Sequence, residues 1–530
     1  MGKRGQIILA VVAGVLTLLL FGTGTVVVVQ GARLARAGDR IGDLQQDLEL
    51  AQERVSELEQ RVAAADERSA PDGSQDSEPA PDGGLGDRLG ELGELFGELF
   101  RRGGDGSGGL GELFDQLRQG EAPQAAELAC AAPDRSVDGP SIPDSTAAAQ
   151  VDAIADWVTG LRALDFDEVP EPELLTGAEV TKRIQADLDE SYPVAQARVE
   201  GQMLQLLGAL PQDVELRDEI SKLLAAQVAG FYDPDTGELV VRTDDPDAPL
   251  STLDQITMAH ELQHALADQS LELPVDVTES TTDADGALAA LSLIEGDATL
   301  TMQRFAVSAL DPMDTLGLLA DPKTQAGQAE LESAPYVLQR SLIFPYEQGL
   351  SFACRQYAQG GWEAVDGAYE RLPSTSAQVL WPERYERGEQ AEDPQDLTKP
   401  AGYELALSST FGAADLLWLF EAPGNDTSAA LSDTMRRTQA WAGGEQFLYT
   451  DGERAAGGLA LVQRPGEADL CDAVTGWLQA ARPESQEAGG EESERLALNG
   501  QEGAGVVVCD GDQVRVGLAD DLATARAVIR

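Results

Sequence analysis

His260-Glu261-Leu262-Gln263-His264 contains the only two histidines of a 530-residue chain. On a helix, residues four apart lie one above the other on the same face, so both imidazoles can reach one metal ion. Glu261 then sits beside that ion, where it can take a proton from metal-activated water. The plainer reading is an accidental spacing on an ordinary amphipathic helix. The scarcity of histidine weighs against it.

A metal that also admits a substrate takes three protein ligands and leaves one position open. No third histidine exists, so the third ligand has to be another residue type. Glu295 stands among Leu288, Leu291 and Ile294, in a stretch with helical spacing. A carboxylate there is costly unless it is paired or on a metal, which makes Glu295 the leading candidate over a half-exposed helix glutamate. Asp268, one turn after His264, and Asp297 are candidates to orient the imidazoles, or else solvated charges.

Positioning these groups requires particular elements. Ser251 and Thr252 are good N-caps, and Asp254 and Gln255 complete a capping box, so a helix starts there. Leu253, Ile256, Ala259, Leu262 and Leu266 give it an apolar stripe. Upstream, residues 230–241 read as strand, turn, strand around Asp233-Pro234-Asp235-Thr236-Gly237. Apolar spacing predicts helices over 151–164, 178–191, 194–207 and 216–228. A polar segment, 268–285, leads to the helix of Glu295. Further helices are expected over 352–357, 362–369 and 405–420. The chain then becomes β-rich, with strands 505–509 and 513–517 joined at Asp510-Gly511, a strong hairpin signal.

With 37 basic and 93 acidic residues the net charge is −56. Such a chain is repelled by nucleic acid and by anionic membrane surfaces, which excludes a nucleic-acid role. Residues 6–30 carry no charge and are long enough to cross a bilayer; the apolar run is too long for a cleaved signal peptide. Lys3 and Arg4 precede it, and Arg33, Arg36 and Arg40 come after it, diluted by acidic neighbours. The short N-terminal tail is therefore expected inside and the rest outside. Ile41, Leu44, Leu48, Ala51, Val55, Leu58 and Val62 form a heptad seam, expected to self-associate. Gly, Asp, Pro, Ser and Glu dominate the next stretch, as in a flexible tether. The organisation expected is a transmembrane anchor (1–38), a coiled coil (39–66), a low-complexity linker (67–127), a catalytic domain (128–400) and a C-terminal α+β portion of the same unit (401–530).

The motifs carry a resemblance. His260-Glu261-Leu262-Gln263-His264 followed by Glu295-Gly296-Asp297-Ala298 resembles the gluzincin metallopeptidases, which have H-E-x-x-H and then E-G-x-A. Pro345-Tyr346-Glu347-Gln348-Gly349 is similar to the P-Y-E-x-G stretch of their aminopeptidase branch. There the tyrosine stabilises the oxyanion, which implies that role for Tyr346. Gln227 to Glu238, Ala259 to Gln269 and Ile294 to Thr299 also resemble metallopeptidase-type proteins of actinobacteria and Chloroflexi, a similarity covering most of 128–530. Two departures stand out. Thirty residues separate His264 from Glu295, more than most gluzincins have. The glycine-rich exopeptidase motif is missing, so aminopeptidase specificity does not carry over.

The fold expected is α+β, a mainly helical zincin-like catalytic domain with a short β-sheet, behind an N-terminal transmembrane helix and coiled coil. The resemblance implies a zinc peptidase, with Zn2+ on His260, His264 and Glu295, Glu261 as general base and Tyr346 as oxyanion donor. A peptide or protein substrate, a membrane and a second copy of the chain are the expected partners, and the catalytic part lies on the extracytoplasmic side of the cell membrane. The competing class is an anchored, non-enzymatic scaffold with a structural or degenerate metal site. Four cysteines without C-x-x-C spacing allow two disulfides outside the membrane. Spacing does not fix their pairing; their distribution between two halves suggests Cys130 with Cys354 and Cys471 with Cys509.

Overall fold

The computed structural model describes Cys130, Val137 and residues 139–530, apart from 246–247, 312–313, 316–317, 319–321, 467–468 and 490–492. The expected anchor, coiled coil and linker lie outside these residues. Among the described residues no helix is long and apolar enough to cross a membrane.

The chain is α+β. In order, helix α1 (Ala147–Arg162) is followed by strand β1 (Pro172–Leu175), α2 (Gly177–Ser191), α3 (Val194–Leu206) and α4 (Leu216–Gln227). Strands β2 (Gly230–Asp233) and β3 (Glu238–Arg242) form a hairpin whose turn ends at Gly237, with φ of +71°. That left-handed backbone favours glycine. With β1 parallel to β3, these three make a small sheet of order β1-β3-β2.

Three long helices come next: α5 (Thr252–Leu271), α6 (Ala284–Ala309) and α7 (Tyr336–Gly360), then α8 (Trp362–Glu370). The first begins at the expected capping box. The Ser251 hydroxyl accepts the Asp254 N–H at 3.2 Å, and the Asp254 carboxylate accepts the Ser251 N–H at 3.1 Å. It ends where Glu272 turns left-handed, φ +57°. Asp268 therefore belongs to α5, and the polar stretch expected from 268 begins four residues later, at Glu272. Asp283 caps α6 by accepting the Gly286 N–H at 3.1 Å.

The β-rich C-terminal portion forms a second, larger sheet. Strands β4 (Glu404–Thr410), β5 (Trp441–Thr450), β6 (Ala455–Gln463), β7 (Gln486–Glu487), β8 (Glu494–Gly500), β9 (Gly503–Asp510) and β10 (Gln513–Ala519) form one antiparallel sheet of order β4-β5-β6-β10-β9-β8-β7. Helix α9 (Ala413–Glu421) and helix α10 (Leu470–Ala481) cover one face, and α11 (Leu522–Val528) the other. Side chains alternate between the faces: Leu448 packs with Trp477 and Phe420, whereas Phe447 and Tyr449 pack with Val528 and Leu397. Met203 and Leu207, at the end of α3, share the first of these cores. The helix expected over 405–420 divides in two, because Leu405 to Thr410 is the edge strand β4 and only 413–421 is helical. A short apolar run fits either element by spacing; here pairing with β5 decides it, and Gly412 starts the helix.

Both expected disulfides form, Cys130 with Cys354 and Cys471 with Cys509. The first brings the segment before α1 onto α7. It also reaches α6, since Arg304 Nε donates to the Cys130 carbonyl at 3.0 Å.

Candidate metal centre

Helix α5 presents His260 and His264 with their Nε2 atoms 3.0 Å apart and their rings nearly perpendicular, at 83°. Glu295 enters from α6. Its Oε2 lies 3.2 Å from His260 Nε2 and 3.5 Å from His264 Nε2. A tetrahedral ion with bonds of about 2.0–2.1 Å holds its ligand atoms about 3.3 Å apart, so these separations fit one. The donor set, two imidazoles and a carboxylate, also suits a divalent metal ion. His260, Glu261, His264, Glu295 and Tyr346 are each at most 2 % exposed.

Unmet polar groups point the same way. Both Glu261 oxygens, Glu295 Oε1 and His260 Nδ1 are sealed from solvent without a hydrogen-bond partner among the described residues. Buried carboxylates in this condition are costly unless a cation compensates them. Among the described residues, His260, His264 and Glu295 are the one group of acidic, cysteine or histidine side chains placed to hold a metal ion.

The electrostatics reflect burial and crowding. Burial lowers the pKa of His260 to about 4 against the pull of Glu295, leaving it neutral and free to ligate at pH 7. Burial acts likewise on His264, but Glu295, Glu261 and Asp297 together outweigh it and raise that pKa. For Glu295, burial raises the pKa, and the two imidazoles more than reverse this. Glu261 differs: burial lifts it to about 8, His264 lowers it and Glu295 raises it. The backbone of Tyr232, in β2, is near enough to lower it further, yet reaches neither oxygen in hydrogen-bond geometry.

Tyr346 comes from α7, its ring 6.2 Å from that of His260. Burial, then the carboxylates of Glu295 and Glu261, hold its hydroxyl protonated far above the usual tyrosine range. It is therefore a donor at neutral pH. A glycine pair lets α7 come this near. A Cβ on Gly296 would stand 2.1 Å from the Gly349 carbonyl oxygen, and one on Gly349 would stand 2.1 Å from that of Ser292. The glycines of the E-G-x-A and P-Y-E-x-G motifs thus allow backbone contact between α6 and α7. Strand β2 lies close to α5 for a similar reason, since Gly230 faces Thr257 and Glu261.

Sequence reasoning brings five residues to this site, and the structure gathers all five. The two aspartates read as orienting the imidazoles or else as solvated charges do neither. Asp268 accepts the Tyr232 hydroxyl at 2.9 Å, tying β2 to α5. Asp297 faces away from the imidazoles and accepts from Arg162 and Tyr369. Arg162 is not singled out by the sequence, where nothing distinguishes it from other helix-terminal arginines. Compared with protein-family models, curated proteins and solved structures, the chain finds no match.

Proposed function

We propose that this chain is a membrane-anchored, zinc-dependent peptidase. The observation that carries the reading is a base with no structural role. Glu261 is buried and unpartnered beside three converging ligand atoms. Zinc, when bound, supplies a Lewis acid that polarises a peptide carbonyl and makes water more acidic. His260, His264 and Glu295 would hold it. The Glu261 carboxylate takes a proton from the attacking water and hands it to the leaving nitrogen as the C–N bond breaks. Tyr346 donates its hydroxyl proton in a hydrogen bond to the oxyanion. Residues 6–30 anchor the chain and 39–66 pair it with a second copy, leaving the catalytic part extracytoplasmic. The two disulfides support that location, because oxidising compartments preserve such bonds.

A second reading is an anchored scaffold whose metal site is structural. The near-complete burial of all five site residues favours it, since a peptide needs access to Glu261. Metal content and casein hydrolysis separate the two. Glu261→Gln keeps about one zinc per chain and loses roughly a thousandfold in hydrolysis, within the range for a general base. Glu295→Gln loses zinc and activity together. A wild type that holds zinc but cleaves nothing establishes the scaffold; Glu261→Gln with full activity removes Glu261 as the base.

A further inference from the structure

Three consecutive residues of α6 each address a different neighbour. Glu295 meets the histidines of α5, Gly296 meets the backbone of α7, and Asp297 meets Arg162 at the end of α1. Two residues along a helix turn the side chain by about 200°, so Glu295 and Asp297 are gripped from opposite sides. The second grip is strong. Arg162 Nε lies 2.9 and 3.2 Å from the two Asp297 oxygens, and Arg162 Nη2 lies 3.1 Å from Oδ2. Both side chains are fully buried. The Tyr369 hydroxyl adds a third donor at 3.0 Å, the ring of Trp362 lies under the guanidinium at 4.5 Å, and Asp366 pairs with Arg162 at its outer edge. Burial alone would weaken the arginine charge; Asp297 and Asp366 more than offset this and hold its pKa above the ordinary value.

We propose that Arg162 and Asp297 are positioning residues for the metal centre, fixing the rotation of α6 so that Glu295 points at the two imidazoles. Neither needs to touch the ion. A planar guanidinium held on two carboxylate oxygens allows one orientation of the helix, whereas apolar packing tolerates several. The inference rests on the metal reading proposed for His260, His264 and Glu295, and its test separates the two.

The experiment is cobalt(II) titration of the folded apoprotein, followed by its visible absorption, which reports ligand geometry independently of peptidase activity. Replacing a buried ion pair and its polar partner together with apolar groups is near neutral for stability. The triple variant Arg162→Met, Asp297→Leu, Tyr369→Phe is therefore expected to unfold cooperatively near the wild-type temperature. It binds cobalt about ten- to a hundredfold more weakly, with an altered spectrum, the size of loss typical for groups that orient ligands. Arg162→Lys keeps the charge but not the two-oxygen fork, and shifts both readouts in the same direction by less. If either variant folds and binds cobalt with wild-type affinity and spectrum, the positioning role is overturned while the metal site stands. A wild type that takes up no cobalt overturns the metal reading and this inference with it.

Discussion

The helical region around α5, α6 and α7 and the seven-stranded sheet bury side chains of opposite character. The sheet encloses Leu459, Leu461, Val507, Val516 and Trp477 in a core where packing is the dominant contribution. The helical region buries His260, Glu261, Gln263, His264, Glu295, Asp297 and Arg162. Among the described residues, the sheet region has no buried carboxylate oxygen without a partner, whereas Glu261 and Glu295 have three between them. A protein built for stability alone would not keep such groups inside. The contrast separates a part whose core is apolar from a part that buries ionisable groups.

That contrast can be broken most directly from the sheet side. Trp477→Ala is expected to cost about 3–5 kcal/mol, as large core truncations do, while the folded fraction keeps its metal affinity. Urea unfolding alongside cobalt binding checks both; a parallel loss of metal affinity would show that the two parts are not separable. In the helical region the expectation reverses. Tyr346→Phe removes one donor without leaving a cavity, so stability is nearly unchanged and hydrolysis falls roughly a hundredfold. Near-native turnover in that variant takes Tyr346 out of the proposed chemistry.

A pH profile tests the seam. Asp285, at the start of α6, accepts the Ser376 N–H at 2.9 Å and donates its own N–H to Thr410 of β4 at 2.9 Å. Burial raises its pKa to about 7. Its unfolded value is about 3.9, so between the two values the native state binds more protons and stability falls as pH rises, levelling off above pH 7. Asp415 contributes in the same direction up to about pH 6, again through burial. Asp285→Asn should flatten the profile between about pH 4 and 7. Unfolding midpoints from pH 4.5 to 8 that run parallel in wild type and variant would count against it.

Most of what is legible from the residues alone rests on local signals. The capping box at Ser251 and Asp254, the α5 and α6 spacing, and the Asp510-Gly511 hairpin depend on neighbours a few residues apart. Glu295 is legible because a lone carboxylate in an apolar helix is a local anomaly. Arg162 and Asp297 are 135 positions apart, and neither is anomalous in its own surroundings. Gly296 and Gly349 each look like a weak point in a helix until the two helices cross. Strand β4 reads as helix because Leu405, Ala406 and Leu407 suit either element equally well until β5 is alongside.

The disulfide from Cys130 to Cys354 spans 224 positions, and every residue of the candidate metal centre lies inside the ring it closes. In the chain-entropy account, a loop of that length restricts the unfolded chain by about 5 kcal/mol, most of it independent of any native contact. Cleavage at any one peptide bond between the two cysteines opens the ring without releasing a fragment. If that bond lies between His260 and Tyr346, the two stay covalently joined until a reductant is added. On a denaturing gel, a chain nicked once within the ring migrates as a single species without reductant and as two pieces with it.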